Sequence, residues 1–463
     1  MDLETIIMVA ITSFWFSTVP VAFLTLARLL RNRRIFVERD LRRIHNDPVI
    51  IFQITTRSAT KTPVVIRGVE SIVESCRKVN YNSFEISVVT DDEKDMDTLS
   101  RHNCEVTVVE KQYSTNAIKK GRALQYAVEC RRKYMKNSFK HWIFHMDDES
   151  CVTTQTILSL LKFIRSAGSA VVAEGPIFYP LKFENANPIT AIAESIRPFT
   201  CYDCVSQMTN PPPIHMHGSN LLVRSDIEDV IGWNFGPTLA EDQLFGYKVY
   251  EKYGPKSLGW HGGMLLEQPP LNIKDHFMQR RRWVLGSLQN INAFPIIHKF
   301  KVMFKLSTYF LGFISGIVSI FLYFHLQFPK LLDLFSVQDI LSHLNIVDIG
   351  PRVNEIVGAL SAESIFNTLS TGTATDITIG LMLIFPYILW LFSYQVGLFL
   401  NLRYSRIIFK KRVFMHLQTL VLSVLIGLIE TFPAFYAMLE YYFGRKKNKH
   451  SGIKTYDFYV IDK

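Results

Sequence analysis

The sequence is short of the features that mark several large protein classes. Six cysteines in 463 residues are too few and too scattered for a disulfide scaffold. There is no collagen-like period, no sustained heptad and no low-complexity tract. With 48% hydrophobic and 20% charged residues the chain is not a disordered polymer. No strand-like run is followed by the Gly-rich turn of a dinucleotide fold or by a P-loop lysine, which argues against hydride transfer and ATP hydrolysis. No nucleic-acid module is visible either, so the charge of +10 is assigned to other partners. What remains is a chain long enough for two or three domains, with a mean hydropathy of +0.13. That value lies between a soluble enzyme and a transporter, and predicts a soluble body joined to a few membrane spans.

The spans are read from uncharged runs. Thr5 to Ala27 is the first, and Arg28, Arg31, Arg33, Arg34, Arg39, Arg42 and Arg43 follow it. A cleaved signal peptide carries its positive charge before the apolar stretch, so residues 1–30 are predicted to be an anchor. The positive-inside rule then places the N-terminus outside and the body in the cytoplasm. Leu306 to Pro329 and Ile377 to Leu402 are further runs, separated by a 330–376 segment with two basic and six acidic residues that suits the outer face. Residues 413–443 are apolar but interrupted by Glu430, Pro433 and Glu440, and the tail 445–463 is basic. One simple crossing would leave that tail outside, in conflict with its charge. A bent re-entrant hairpin near Pro433, or a further crossing within 330–376, would keep it inside. The C-terminal membrane region is therefore 306–444, with runs at about 306–329, 377–402 and 413–443.

All six cysteines lie in the intervening body, where reduced thiols are expected. Cys201 and Cys204 form a lone CxxC, read as buried structural cysteine. His215 and His217, an HxH, are read as loop histidines lining a cleft, because no further clustered ligand accompanies them.

Residues 46–300 alternate between strand and helix. Val49–Thr55, Glu85–Thr90, Glu105–Val109, Trp142–Met146 and Ala170–Ala173 are short Val- and Ile-rich strands. A helical stretch is predicted after the first strand, where Val65, Val69, Ile72 and Cys76 recur at helical spacing, and further helices over Ala117–Tyr134 and Thr154–Ser166. This rhythm means an α/β fold with a mostly parallel sheet, whose ligands bind beyond the carboxyl ends of the strands. Those ends are acidic: Asp91 and Asp92 after one strand, Asp147, Asp148 and Glu149 after another. Such a cluster suits a hard divalent cation completed by substrate phosphates. Downstream lie Glu241 and Asp242 in LAEDQLFG, and then Gln279, Arg280, Arg281, Arg282 and Trp283 in FMQRRRW, about twenty residues before the second apolar run.

An aspartate after the second strand, a DxD-like cluster, an ED pair and a Q(Q/R)xRW box in this order resemble the membrane-bound family 2 glycosyltransferases with a GT-A catalytic fold. That group includes the cellulose, chitin and hyaluronan synthases. The chain is similar in particular to the egghead-type β-1,4-mannosyltransferases, at Thr56-Arg57, Val88-Val89-Thr90-Asp91, Gly175 in EGPIFY, Arg197 in ESIRPF, Gly218-Ser219, Ala240-Glu241-Asp242 and the tail Phe458 to Lys463. The DxD position departs from the pattern, reading D-D-E.

The resemblance implies an inverting hexosyltransferase using a nucleoside-diphosphate sugar, best GDP-mannose, with Mg²⁺ or Mn²⁺. The donor site is then Thr56, Arg57, Asp91, Lys120, Asp147, Asp148, Gln279, Arg280 and Arg282, with the cation on Asp147 and Glu149. Asp91 would accept from the base, and the arginines and Lys120 would meet the phosphates. Asp242 would be the general base and Glu241 its neighbour at the acceptor. Gly218, Ser219, Asn220 and Trp283 would contact the acceptor, a lipid-linked sugar or glycolipid at the cytoplasmic leaflet. A processive synthase using UDP-sugars is the alternative, and a non-catalytic membrane scaffold the second. Three or four spans give few walls for a polymer channel, which favours the lipid acceptor; homo-oligomerisation would supply more.

Overall fold

The computed structural model describes residues 3–32, 47–57, 61–135, 138–327 and 374–443. The expected outer segment 330–376 falls almost wholly, and the tail 445–463 wholly, outside these residues. The chain divides into two units. One comprises Met1–Phe23 with Ser307–Phe392, and the other Leu24–Leu306 with Ser393–Lys463.

The larger unit is built on a seven-stranded sheet. Its strands are β1 (Val49–Thr55), β2 (Phe84–Thr90), β3 (Glu105–Val108), β4 (His141–Asp147), β5 (Val172–Glu174), β7 (Leu221–Arg224) and β8 (Leu258–Trp260). A small second sheet pairs β6 (Ile177–Phe178) with β9 (Leu265–Leu266). The order in the large sheet is β3-β2-β1-β4-β7-β5-β8. All neighbours are parallel except β7, which runs antiparallel to β4 and β5. The mostly parallel α/β fold is therefore as the sequence predicts, and the first four strands agree with the expected ones to within one residue at each end.

Continuous apolar runs make these strands because both faces of the sheet are covered. Ile50, Phe52 and Ile54 of β1 and Phe144 and Met146 of β4 are buried, and Val65, Val69, Ile72 and Cys76 of the helix Thr62–Lys78 pack on them. Each such side chain contributes about 1.5–3 kcal/mol on leaving water. The helix lies close: a Cβ at Gly68 would stand 2.9 Å from the Ser150 carbonyl oxygen, so the residue beside the acidic strand end has to be small. In register, Thr55 of β1 pairs with Asp147 of β4 and with Val89 of β2. The three strand ends thus stop at one edge and deliver Thr56, Asp91 and Asp147 together.

In the smaller unit, a Cβ at Gly316 would lie 2.9 Å from the Trp15 ring, and Phe23 stacks on Phe385 with centroids 6.0 Å apart. Among the described residues, Val9–Asn32 and Ile384–Tyr404 are the helices long and apolar enough, by length and composition, to cross a membrane. The run beginning at Leu306 belongs to the helix Ile296–Gln327. The run 413–443 lies in the helix Phe409–Phe443, which bends by 67° between Phe409–Leu422 and Leu425–Phe443; its two acids form ion pairs with Arg280 and Arg281.

Candidate active site

Two helix starts face the acidic edge of the sheet. The helix Lys119–Tyr134 begins with Lys120, and Glu241–Tyr253 begins with the acidic pair. They approach at Gly121, where a Cβ would sit 3.6 Å from the Glu241 Cβ. Lys120 Nζ makes an ion pair with Asp147 and donates to the Gly218 carbonyl at 2.8 Å. Burial opposes the ammonium charge, but Asp147, Glu241 and Asp242 outweigh it and raise the Lys120 pKa. Gly218 is needed for this approach, since a Cβ there would lie 3.0 Å from Asp242 Oδ2 and 3.4 Å from Lys120 Nζ.

Burial, and next the Glu241 carboxylate, push Asp242 up to about 7, although its Oδ1 accepts from the Gln243 N–H at 2.8 Å. Glu241 is raised too, by burial first, with Lys120 acting against it. Arg282 bears on both carboxylates electrostatically. A proton acceptor near neutrality, beside a fixed ammonium and an oxygen-lined strand end, is suited to deprotonating a hydroxyl next to a phosphate-bearing substrate.

Asp147, Glu149 and Glu267 each offer a carboxylate oxygen, all within 4.8 Å of one another. This all-oxygen set fits Mg²⁺ or Mn²⁺ rather than a soft metal. Glu267 is absent from the sequence reading. It follows the two-residue strand β9, too short to leave a periodic signal, and it is 3% exposed. Its Oε1 accepts from Ser150 at 3.0 Å and Ser219 at 2.7 Å, tying the acidic turn to the 218–220 loop. Asp148 accepts from Thr56 at 3.4 Å, and Asp91 from Arg122 at 3.0 Å. Arg57 is exposed at the same edge.

The other expected site residues are held by protein partners. Arg280 is 1% exposed and is taken up by Glu194 and Glu430, each at 2.9 Å. Gln279, also buried, accepts from Arg280 at 3.3 Å. Asn220 is fully buried, with its amide donating to the Pro176 and Gly263 carbonyls at 2.9 Å. Both hydrogen bonds brace the loop, as does the Ser219 bond to Glu267. Trp283 is half-buried between two cations, with Arg280 4.4 Å and Arg197 4.6 Å from its ring centroid.

The HxH does have a further clustered group, contrary to expectation: Cys204, His215 and His217 lie within 4.8 Å of one another, with Cys204 Sγ 3.1 Å from His215 Nε2 and 3.5 Å from His217 Nε2. The Gln207 oxygen accepts from the Ile214 and His215 N–H groups, which turns its NH₂ to His215 Nδ1 at 3.0 Å. Nδ1 then accepts, and the Nε2 proton points at Cys204; that tautomer leaves no lone pair for a metal. Cys201 lies against the Ile177 carbonyl, and both thiols are buried.

Residues 142–347 match the family model described as Glycosyl transferase family group 2. That match covers less than half of the chain, and it falls largely on the body, whose sheet is mostly parallel α/β. Among curated proteins the chain is similar to Beta-1,4-mannosyltransferase egh of Drosophila melanogaster and to Beta-1,4-mannosyltransferase bre-3 of Caenorhabditis elegans. Each is 26% identical over 270 residues, or 57% of this chain and 57% of the relative. The alignment thus spans little more than half of each relative's length. Among solved structures, Mannosyltransferase PcManGT from Pyrobaculum calidifontis, in complex with GDP-Man and Mn2+, aligns at 12% identity and a TM-score of 0.41. That alignment covers 82% of this chain and 98% of the other.

Proposed function

We propose that this chain is a metal-dependent, inverting mannosyltransferase that moves a sugar from GDP-mannose to a lipid-linked or glycolipid acceptor at the cytoplasmic leaflet. The observation that carries the reading is the placement of Asp242, raised to about 7, within a Cβ's reach of the loop that also holds Lys120, itself paired with Asp147. The mannosyl part comes from the egh and bre-3 likeness, and the lipid acceptor from the small number of apolar runs, which give few walls for a polymer channel. The cytoplasmic placement follows from the arginines after the first apolar run.

In this reading the nucleotide lies along the edge formed by Thr56, Arg57, Asp91 and Asp148. Asp147, Glu149 and Glu267 would hold Mg²⁺ or Mn²⁺, which supplies charge neutralisation for the diphosphate. Lys120 and Arg282 add fixed positive charge facing the same group, in a setting where it needs no reorganisation. Asp242 takes the proton from the acceptor hydroxyl as that oxygen bonds to the sugar C1. The C1–O bond to the diphosphate breaks on the opposite face, so the anomeric configuration inverts. Glu241 keeps Asp242 basic enough for this step, and Trp283 walls the acceptor side.

The test is nucleotide release by the detergent-purified full chain from a panel of GDP- and UDP-sugars, with Mn²⁺, Mg²⁺ or EDTA. GDP released from GDP-mannose only with metal, and lost in Asp242→Asn, is the expected result. Release from no donor, or near-normal turnover in Asp242→Asn, overturns the proposal.

A further inference from the structure

We infer that the bent helix Phe409–Phe443 does not cross the membrane: it docks along one leaflet, on the catalytic side, and returns the chain to the face it started from. The inference goes beyond the transferase reading and does not depend on it.

Both halves of this helix rest on the same soluble body. In the first half, Met415 packs with Phe183 and Ala191, and Lys411 Nζ reaches the Glu184 carbonyl at 3.5 Å. In the second half, Glu430 pairs with Arg280 at 2.9 Å and faces His276 at 3.3 Å, and Glu440 pairs with Arg281 at 2.5 Å. A straight helix of 35 residues would be about 52 Å long, more than enough to put its ends on opposite sides of a hydrocarbon core about 30 Å thick. Ends that both dock on one globular body cannot be on opposite sides, and the 67° bend is what allows the return.

The second half also tracks the helix Ile273–Asn290 side by side. Ile273 lines an apolar pocket with Leu428, Ile429 and Phe432. One turn on, Phe277 meets Phe432 and Tyr436 at 5.9 and 5.5 Å, and a further turn on Arg281 reaches Glu440. The tracked helix carries Lys274, Asp275, Arg280, Arg281 and Arg282, a charge density that hydrocarbon does not accept. A helix parallel to it and ion-paired with it at two levels shares its depth, at the headgroup boundary.

The outward face identifies the partner as lipid. Leu417, Leu420, Val421 and Leu425, then Phe435, Leu439 and Phe443, are exposed along the two halves at spacings of three and four residues. The opposite stripe, with Thr419, Ile426, Ala434 and Ala437, is fully buried. Lys410, Lys411 and Arg412 stand at the start, where anionic headgroups would meet them. One leaflet, apolar beneath and anionic above, matches this arrangement.

The experiment reads sidedness in the full chain in sealed vesicles of phosphatidylcholine and phosphatidylserine, with Cys104 and Cys130 replaced by serine; the other four cysteines are buried. Lys140→Cys reports the body and Lys446→Cys the chain after the helix, each probed with a membrane-impermeant maleimide before and after detergent. Equal protected fractions at the two positions are expected. Complementary fractions, one labelled outside where the other is shielded, overturn the inference. If Lys446→Cys does not accumulate, protease removal of a tag appended after Lys463 reads the same side.

Discussion

Raising the pH from 6 to 8 should carry Asp242 through its titration, and the sign of the effect is set by its role. Only the carboxylate accepts a proton, so turnover rises with pH. With a midpoint at about 7, the ionised fraction grows from about one-tenth to about nine-tenths, a gain of about tenfold in kcat. The second cause of the elevation is the neighbouring Glu241 charge, so Glu241→Gln should move the midpoint to lower pH even as the maximal rate falls. The assay is metal-saturated nucleotide release at saturating donor and acceptor, across pH 5.5 to 8.5, for both proteins. A flat or falling profile between pH 6 and 8, or an upward shift in Glu241→Gln, would falsify the assignment. The same ionisation works against the fold. The folded carboxyl holds its proton more tightly than the ordinary 3.8, so its contribution to stability is complete at acid pH and lost as pH rises through about 7.

Glu267→Gln keeps an oxygen for Ser150 and Ser219 but weakens the cation site, so the Mn²⁺ concentration for half-maximal release should rise about tenfold or more, as a metal titration would read. Arg280→Met removes the guanidinium from the buried Glu194 and from Glu430, leaving His276 to face both, and should lower stability by about 3 kcal/mol in a thermal melt. Arg282→Met should lower the melt less than Arg280→Met does, yet reduce release by roughly a hundredfold; equal melts for the two variants would contradict the division of labour. Gly175→Ala places a Cβ 2.1 Å from the Gly263 carbonyl oxygen and should cost about 3 kcal/mol or more, visible as poor yield of folded protein.

The part of this architecture that was legible in sequence is the part where the local pattern and the tertiary outcome agree. Val49–Thr55 and the β4 run are apolar on both faces because helices cover both, so a continuous run was sufficient to find them. Asp91, Asp147 and Glu149 follow strands that could be located, and their juxtaposition came with the parallel order. Of the later strands, of two to four residues, one was legible, Ala170–Ala173 against the observed Val172–Glu174; the others carry no period, and Glu267 was hidden with them. The box Gln279 to Trp283 was read as a single tool, whereas helical geometry points its members to different partners. Glu430 and Glu440 looked like flaws in a span because their partners, Arg280 and Arg281, lie some 150 residues away in sequence. Contacts of that range leave no local trace.

Three arginines in succession on one rigid rod have a consequence for how this segment tolerates change. Each residue turns the side-chain direction by about 100°, so Arg280 and Arg281 address Glu430 and Glu440 while Arg282 faces the carboxylates of the ED pair. The composition of the box matters less than its phase. A single-residue deletion just ahead of Arg280 would keep every charge, yet hand each arginine its neighbour's direction and strand two glutamates at once. Point substitutions here are graded injuries, whereas a frame-preserving insertion or deletion of one residue is an all-or-none one. Variation in length is thus expected to be confined to the turns on either side of Ile273–Asn290, never within it.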